Sequence, residues 1–450
     1  MTSKLLKLPK WETEILERSL SIPIIPEHRY ALISVHGDPS AQLGKDGAGG
    51  QNLYVKSLGL SLAKRGCQVD MFTRREDADQ PTITQHANGC RTIRLTAGPT
   101  EFIHRDELFL YLPEFVEAWL DFQKQNGLTY DIIHSNYWLS GWVGMQLRSR
   151  LSIPQVHTYH SVGAVKYQAM NTLPEIALSR LGVEWACLEQ TDCVIATSSQ
   201  EQNDLRELVS EHGQIQIIPC SVDIDHFSKV DQDSARQQLG LAEDKKMILY
   251  VGRFDERKGI ETLVRACAQL PSELKEQWQL YLVGGSRQGG VDTEEQQRIR
   301  SLVTELGLDS VTTFTGAISQ SELPAYYAAA DMCVIPSYYE PFGLVAIEAM
   351  AAGTAVIASK VGGLQETVLD GETGLLVPIR NPEALSEAIA KLLKDPQSAQ
   401  AMGAAGLRRS HSHYSQRAVA EKIHHLYESL IAKNKVSQAE KQVSLGLVRA

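Results

Sequence analysis

The chain has 450 residues, 43% of them apolar and 22% charged, which is the composition of a globular protein and excludes fibrous, mucin-like and wholly disordered classes. Lys and Arg number 44 and Asp and Glu 54, a net charge of −10, so the broad positive field that non-specific nucleic-acid or anionic-membrane binding needs is absent, although a local pocket for a phosphate is not excluded. Seven scattered cysteines with no C-x-x-C pair argue against a disulfide framework and a zinc site, and no 18-residue uncharged apolar run offers a membrane span, so a reduced, cytoplasmic chain is expected.

Residues 1–28 carry no periodic pattern. Strand-like runs then follow at Tyr30–Val35, Val69–Thr73, Thr92–Leu95, Ile132–Ser135, Gln155–Tyr159, Cys193–Thr197 and Ile215–Pro219. A second series runs Met247–Gly252, Gln279–Val283, Val311–Phe314, Met332–Pro336, Ala355–Ala358 and Leu375–Val377. Continuous apolar runs of this length, separated by helical stretches, predict buried parallel strands. Two successive series predict two doubly wound α/β domains. The break is expected near Pro219–Phe227, giving domains at 1–222 and 223–414.

The first strand ends in His36-Gly37-Asp38, and a glycine-rich loop from Gly44 to Asn52 leads into a helix. Such a loop exposes backbone N–H groups where a helix dipole favours anions. After Gly47 and Gly49 the sixth position is Asn52, so the dinucleotide fingerprint G-x-G-x-x-G fails, and no G-K-[ST] is present. A nicotinamide oxidoreductase is thereby disfavoured. In the second series Arg253 and Lys258 stand five residues apart where a strand gives way to a helix. Two such cations can neutralise a diphosphate and stabilise a departing one.

The segment Tyr339-Glu340-Pro341-Phe342-Gly343-Leu344-Val345-Ala346-Ile347-Glu348 turns sharply into a helix expected to run to Gly353. It sets Glu340 just before the helix and Glu348 about one and a half turns inside, with the N–H groups of Gly343, Leu344 and Val345 between. Two carboxylates for sugar hydroxyls flanking a phosphate-binding helix start describe a sugar-nucleotide site.

Glu340-x7-Glu348, Arg253-x4-Lys258 and the Gly49-Gly50-Gln51 loop resemble the retaining GT-B glycosyltransferases, and the likeness extends in order to GGLQETVLDGETGLLVP at 362–378. His157–Lys166, with Ser161 and Lys166, is similar to the H-S-L-G-x-x-K segment of sucrose-phosphate synthases. The related inositol-phosphate N-acetylglucosaminyltransferases usually read H-T-L-A-x-x-K there. Phe102–Leu108 resembles an acceptor-phosphate segment in which Lys more often stands where this chain has Arg105. His134–Tyr137 approximates an H-x-x-Y segment, and Arg180–Glu184 fits R-[IL]-x-x-E.

The resemblance implies two Rossmann-like domains facing across a cleft, with a last helix, about 415–433, crossing back onto the first. It implies transfer of glucose from UDP-glucose to fructose 6-phosphate with retention. The donor would meet Gly50, Arg253, Lys258, Glu340, Phe342, Gly343, Leu344, Val345 and Glu348. The acceptor would meet Gly49, Gln51, Arg105, Tyr137, Ser161, Lys166 and Arg180. His160, Arg253, Lys258 and Glu340 would carry catalysis, with no obligatory cofactor or metal and Mg2+ a stimulant at most. No phosphatase D-x-D-x-T segment occurs, so a separate sucrose-phosphate phosphatase is the expected partner. An inositol phosphate acceptor, a sucrose-synthase-like reaction with free fructose, and a sugar-nucleotide sensor without turnover remain alternatives.

Overall fold

A computed structural model describes residues 28–41, 50–168, 172–242, 244–274, 277–285 and 291–449. Two sheets organise them. The first has the order β3-β4-β2-β1-β5-β6-β7-β8. Its strands are β1 (Arg29–Ile33), β2 (Gln68–Arg74), β3 (Ile83–Ala87), β4 (Cys90–Leu95), β5 (Ile132–Asn136), β6 (Gln155–Thr158), β7 (Cys193–Ala196) and β8 (Ile215–Ile217). The second has the order β11-β10-β9-β12-β13-β14. It comprises β9 (Lys246–Val251), β10 (Trp278–Val283), β11 (Thr312–Gly316), β12 (Met332–Ile335), β13 (Ala355–Ser359) and β14 (Gly374–Val377). Helices cover both faces of each sheet, as the paired buried clusters on either side require. The architecture is α/β with two Rossmann-like domains.

One strand departs from the expected pattern. β3 was not among the expected runs and pairs antiparallel with β4. Its residues alternate between exposed and half-buried, so it is an edge strand without the apolar run of the buried ones. The two residues between β3 and β4 are Asn88-Gly89, with Gly89 at φ +78°, a strong hairpin signal.

Strand order reverses between β1 and β5 in the first sheet and between β9 and β12 in the second. At such switch points the loops leave in opposite directions and open a crevice at the carboxyl ends. The chain crosses between the sheets twice, at adjacent places: Val222 N–H donates to the Tyr414 carbonyl at 2.9 Å. The final helix spans Gln416–Arg449, longer than the expected stretch. It buries Val419, Ile423 and Tyr427 against Leu32 and Val55 of the first domain. Burial of several such side chains, each worth about 1.5–3 kcal/mol, holds it there.

Candidate active site

A cleft of about 1880 Å³ lies between the two switch points. From the first domain it takes Gly50, Gln51, Arg105, Tyr137, His160 and Ser161; from the second it takes Lys258, Glu340, Phe342, Gly343, Leu344, Val345 and Glu348. Gly49 lies outside the described residues. Three expected residues are absent from the lining: Arg253, Lys166 and Arg180.

Each has a physical reason. Arg253 is exposed beyond β9, and its backbone is fixed by the Tyr250 hydroxyl, which donates to its carbonyl at 2.9 Å. Lys166 is exposed on the helix Gly163–Gln168, its Nζ 5.9 Å above the Tyr167 ring. Arg180 is 2% exposed, and its donors are already taken. Nε donates to Glu184 Oε1 at 2.7 Å, Nη1 to the Tyr137 hydroxyl at 3.1 Å, and Nη2 to the Ser161 carbonyl at 2.7 Å. It therefore shapes the cleft wall behind Tyr137 and Ser161. The three basic residues still feel one another: burial lowers the Lys166 ammonium, and Arg105 and Arg180 lower it further. Arg105, on the cleft wall, is partly offset by Asp106 at 3.6 Å.

The floor of the first domain is built from β1, β5 and the segment after β6. Asn136 Nδ2 donates to the carbonyls of His134 and Ile33, which fixes the amide orientation. Its Oδ1 therefore accepts from His160 Nε2 at 2.9 Å, leaving Nδ1 as the accepting ring nitrogen. Burial, then His157, pushes the His160 pKa down to about 3, so the ring is neutral at physiological pH. His160 (φ +58°) and Tyr137 (φ +73°) both hold left-handed backbone, rare for such residues, and both sit on the cleft. Strain concentrated in two lining residues marks a site whose geometry the surrounding fold enforces. Gln51 Nε2 donates to Ser34 Oγ at 3.0 Å and anchors the helix Gly50–Ala63 to the end of β1.

The second domain contributes its helix Leu344–Ala351, shorter than expected and capped by Gly343 at φ +89°. That left-handed backbone favours glycine, and a Cβ there would also meet Leu364 Cδ2 at 2.5 Å. Lys258 Nζ and Glu340 Oε2 form an ion pair at 2.6 Å in the cleft wall. Glu348 Oε2 accepts from the Tyr327 hydroxyl at 2.7 Å, while burial pushes its pKa up to about 7. A raised carboxyl pKa means stability is greatest below the unfolded value and falls as pH rises through about 7. Glu348→Gln should thus gain thermal stability relative to the parent between pH 5 and pH 8, read by melting temperature.

Residues not singled out in the sequence also reach the cleft. His36, three residues beyond β1, packs at a tilt against Tyr137 with ring centroids 4.5 Å apart, and leaves Nδ1 buried without a hydrogen-bond partner among the described residues. Tyr54, in the first turns of its helix, packs edge-on against His160 at 4.9 Å. A histidine at the carboxyl end of a switch-point strand was the available signal for His36. Among the described residues no group of three or more His, Cys, Asp and Glu could hold a metal ion. Nor is any helix among them long and apolar enough to cross a membrane.

Residues 231–409 match the family model of the glycosyl transferases group 1, and residues 48–226 match that of glycosyltransferase family 4. A D-inositol 3-phosphate glycosyltransferase of Corynebacterium jeikeium is 37% identical, over 89% of this chain and 97% of its own. The chain belongs to the group 1 glycosyltransferases. Among solved structures, this GT-B glycosyltransferase is similar to sucrose-phosphate synthase from Thermosynechococcus elongatus: 51% identity, TM-score 0.78, 90% of this chain and 100% of that one. HepE of Anabaena, solved with UDP-glucose, is 21% identical with a TM-score of 0.67 over 89% of this chain and 100% of its own, and shares the fold. The cleft of this glycosyltransferase thus lies where two family models meet.

Proposed function

We propose that the glycosyltransferase moves glucose from UDP-glucose to fructose 6-phosphate, with retention, giving sucrose 6-phosphate and UDP. The observation that carries the reading is the 51% identity to a sucrose-phosphate synthase across 90% of this chain, against 37% to an inositol phosphate enzyme. The curated relatives favour a second reading, with D-inositol 3-phosphate as acceptor. Both acceptors are polyhydroxylated phosphates, and Arg105 on the cleft wall suits either, with Lys166 joining it only if acceptor binding draws its ammonium into the cleft and Arg180 adding its charge from behind Tyr137 and Ser161.

In this reading the donor diphosphate lies against Lys258 and the N–H groups at Gly343, Leu344 and Val345. Glu340 and Glu348 accept from glucose and ribose hydroxyls. The bond from the anomeric carbon to the diphosphate oxygen breaks on the face where the acceptor oxygen bonds. The departing UDP oxygen takes the acceptor proton. Lys258 meets the charge that develops on UDP, the kind of contact that accelerates the step because it strengthens in the transition state. His160 stays neutral and offers Nδ1 to the glucose 6-hydroxyl. Arg253 joins the diphosphate only if donor binding draws it into the cleft. No metal is obligatory here, since the cation at Lys258 and the helix start neutralise the diphosphate, and Mg2+ would only stimulate. A cytoplasmic setting and a separate phosphatase acting on the product complete the reading.

The test is a panel of UDP-, ADP- and GDP-glucose against fructose, fructose 6-phosphate and inositol phosphate, scored for released nucleoside diphosphate. UDP-glucose with fructose 6-phosphate should give the highest kcat/KM. If acceptor binding draws Lys166 inward, Lys166→Ala should raise the acceptor KM about tenfold or more, the worth of one charge-assisted contact, while the donor KM changes little. Equal use of fructose and its phosphate would overturn the acceptor assignment.

A further inference from the structure

The segment Gly362–Thr367 plays no part in the chemistry above, yet it occupies a particular place. It buttresses the turn at 340–343: Gly363 N–H donates to the Glu340 carbonyl at 3.0 Å, and Thr367 Oγ1 donates to the Phe342 carbonyl at 3.1 Å. Cβ atoms on Gly362 and Gly363 would collide with the Glu340 and Pro341 carbonyls, so this approach depends on both glycines. The same segment reaches the other domain. Ser199 N–H, at the start of the helix Ser199–Leu208 that follows β7, donates to Glu366 Oε1 at 2.8 Å. Ser198 Oγ donates in the same sense to the Pro341 carbonyl at 3.0 Å. Arg409, just before the chain recrosses, holds the Glu366 carbonyl from Nη2 at 2.8 Å. Glu366 thus sits in the segment that buttresses the turn, its carbonyl held by the crossing segment and its carboxylate by the other domain.

We propose that Glu366 is a positioning residue for glycosyl transfer: its hydrogen bond to Ser199 N–H holds the two domains at the separation the reaction needs. The carboxylate meets a helix start, where the backbone dipole favours negative charge, and it does so between the two domains rather than within one. Its contribution falls on the approach of the domains, and not on the fold of either. Attack geometry is sensitive to small displacements, so loss of the contact lowers kcat more than it weakens ground-state binding. The inference rests on reading Glu340–Gly343 as the donor loop.

The experiment compares the full chain with Glu366→Ala and Glu366→Gln, using the donor and acceptor that the panel selects. Glu366→Ala should lower kcat about tenfold or more, as expected for a lost bond to a charged acceptor, with UDP affinity within about twofold of the parent. Glu366→Gln, whose amide oxygen still accepts from Ser199, should recover most of kcat. Parental kcat in Glu366→Ala overturns the inference. So does a kcat loss in Glu366→Gln as large as in Glu366→Ala, which would mean that acceptance from Ser199 is not the relevant property. Failure of the donor-loop reading shows separately, as an unchanged donor KM in Glu340→Gln.

Discussion

Lys258→Ala is expected to lower kcat by about 100- to 1000-fold, the loss that follows removal of one preorganised group opposite charge that develops in the transition state. Lys258 already stands in the cleft wall, held by Glu340 at 2.6 Å, so its position costs nothing to organise at the moment of reaction. Its substitution also leaves Glu340, whose side chain is 14% exposed, without its cation. The fold should survive with a modest loss of stability, because the Lys258 side chain is about one-third exposed while Glu340 is left without its cation. Rapid-quench or steady-state turnover with saturating UDP-glucose measures the effect. Near-parental turnover would move the diphosphate elsewhere. Arg253→Ala, outside the cavity lining, gives the companion measurement: a loss as large as that of Lys258→Ala would require donor binding to bring Arg253 inward.

The largest effect on stability is expected at Arg180. Its guanidinium and the Glu184 carboxylate form a pair whose side chains are 3% and 0% exposed. Breaking a buried pair by removing one partner typically costs about 3–5 kcal/mol, because the remaining charge stays out of water. Glu184 also accepts from Gly163 N–H at 2.8 Å, so the pair holds the helix that carries Lys166. Burial pushes the Glu184 carboxyl up, and Arg180 only partly offsets it. Without Arg180 the carboxyl rises further, so Arg180→Ala should be least deficient at low pH and lose stability as pH increases. Urea titrations at pH 5 and pH 8 check this. Arg180→Met combined with Glu184→Leu should recover much of the stability, since apolar replacement of a buried pair is often neutral or better. It should leave the acceptor KM high, because Tyr137 and Ser161 lose the groups that place them.

Strands such as β9 and β12 were legible because each is a continuous apolar run, whereas β6, Gln155-Val156-His157-Thr158, is fully buried with polar side chains and was marked mainly by its place in the alternation of strands and helices. β3 was not legible, because an edge strand needs only alternation, and Asn88-Gly89 was its one strong mark. Within the cleft, Glu340, Glu348 and Lys258 were legible because local spacing to a helix or strand end brings them there. Arg180 was legible as a cation but not as a paired one: Glu184 at i+4 could equally make a solvated surface pair, and only the packing of Tyr137 and Tyr167 against the guanidinium shows that it is buried. The left-handed backbone of Tyr137 leaves no trace in residue type, and at His160 the only trace is the enrichment of histidine in that region. Ser199 and Glu366 stand 167 positions apart, and no local pattern encodes a contact between domains.

The most direct measurement is a competition in one vessel. Fructose 6-phosphate, D-inositol 3-phosphate and free fructose at equal concentration are offered with limiting UDP-glucose. The products are separated by mass, and the anomeric configuration of the major one is read by proton NMR. Sucrose 6-phosphate should dominate, with the glucosyl unit in the α configuration of the donor. Dominant glycosylated inositol phosphate, sucrose formed as readily as its phosphate, or a β-glucosyl product would contradict the proposed reaction.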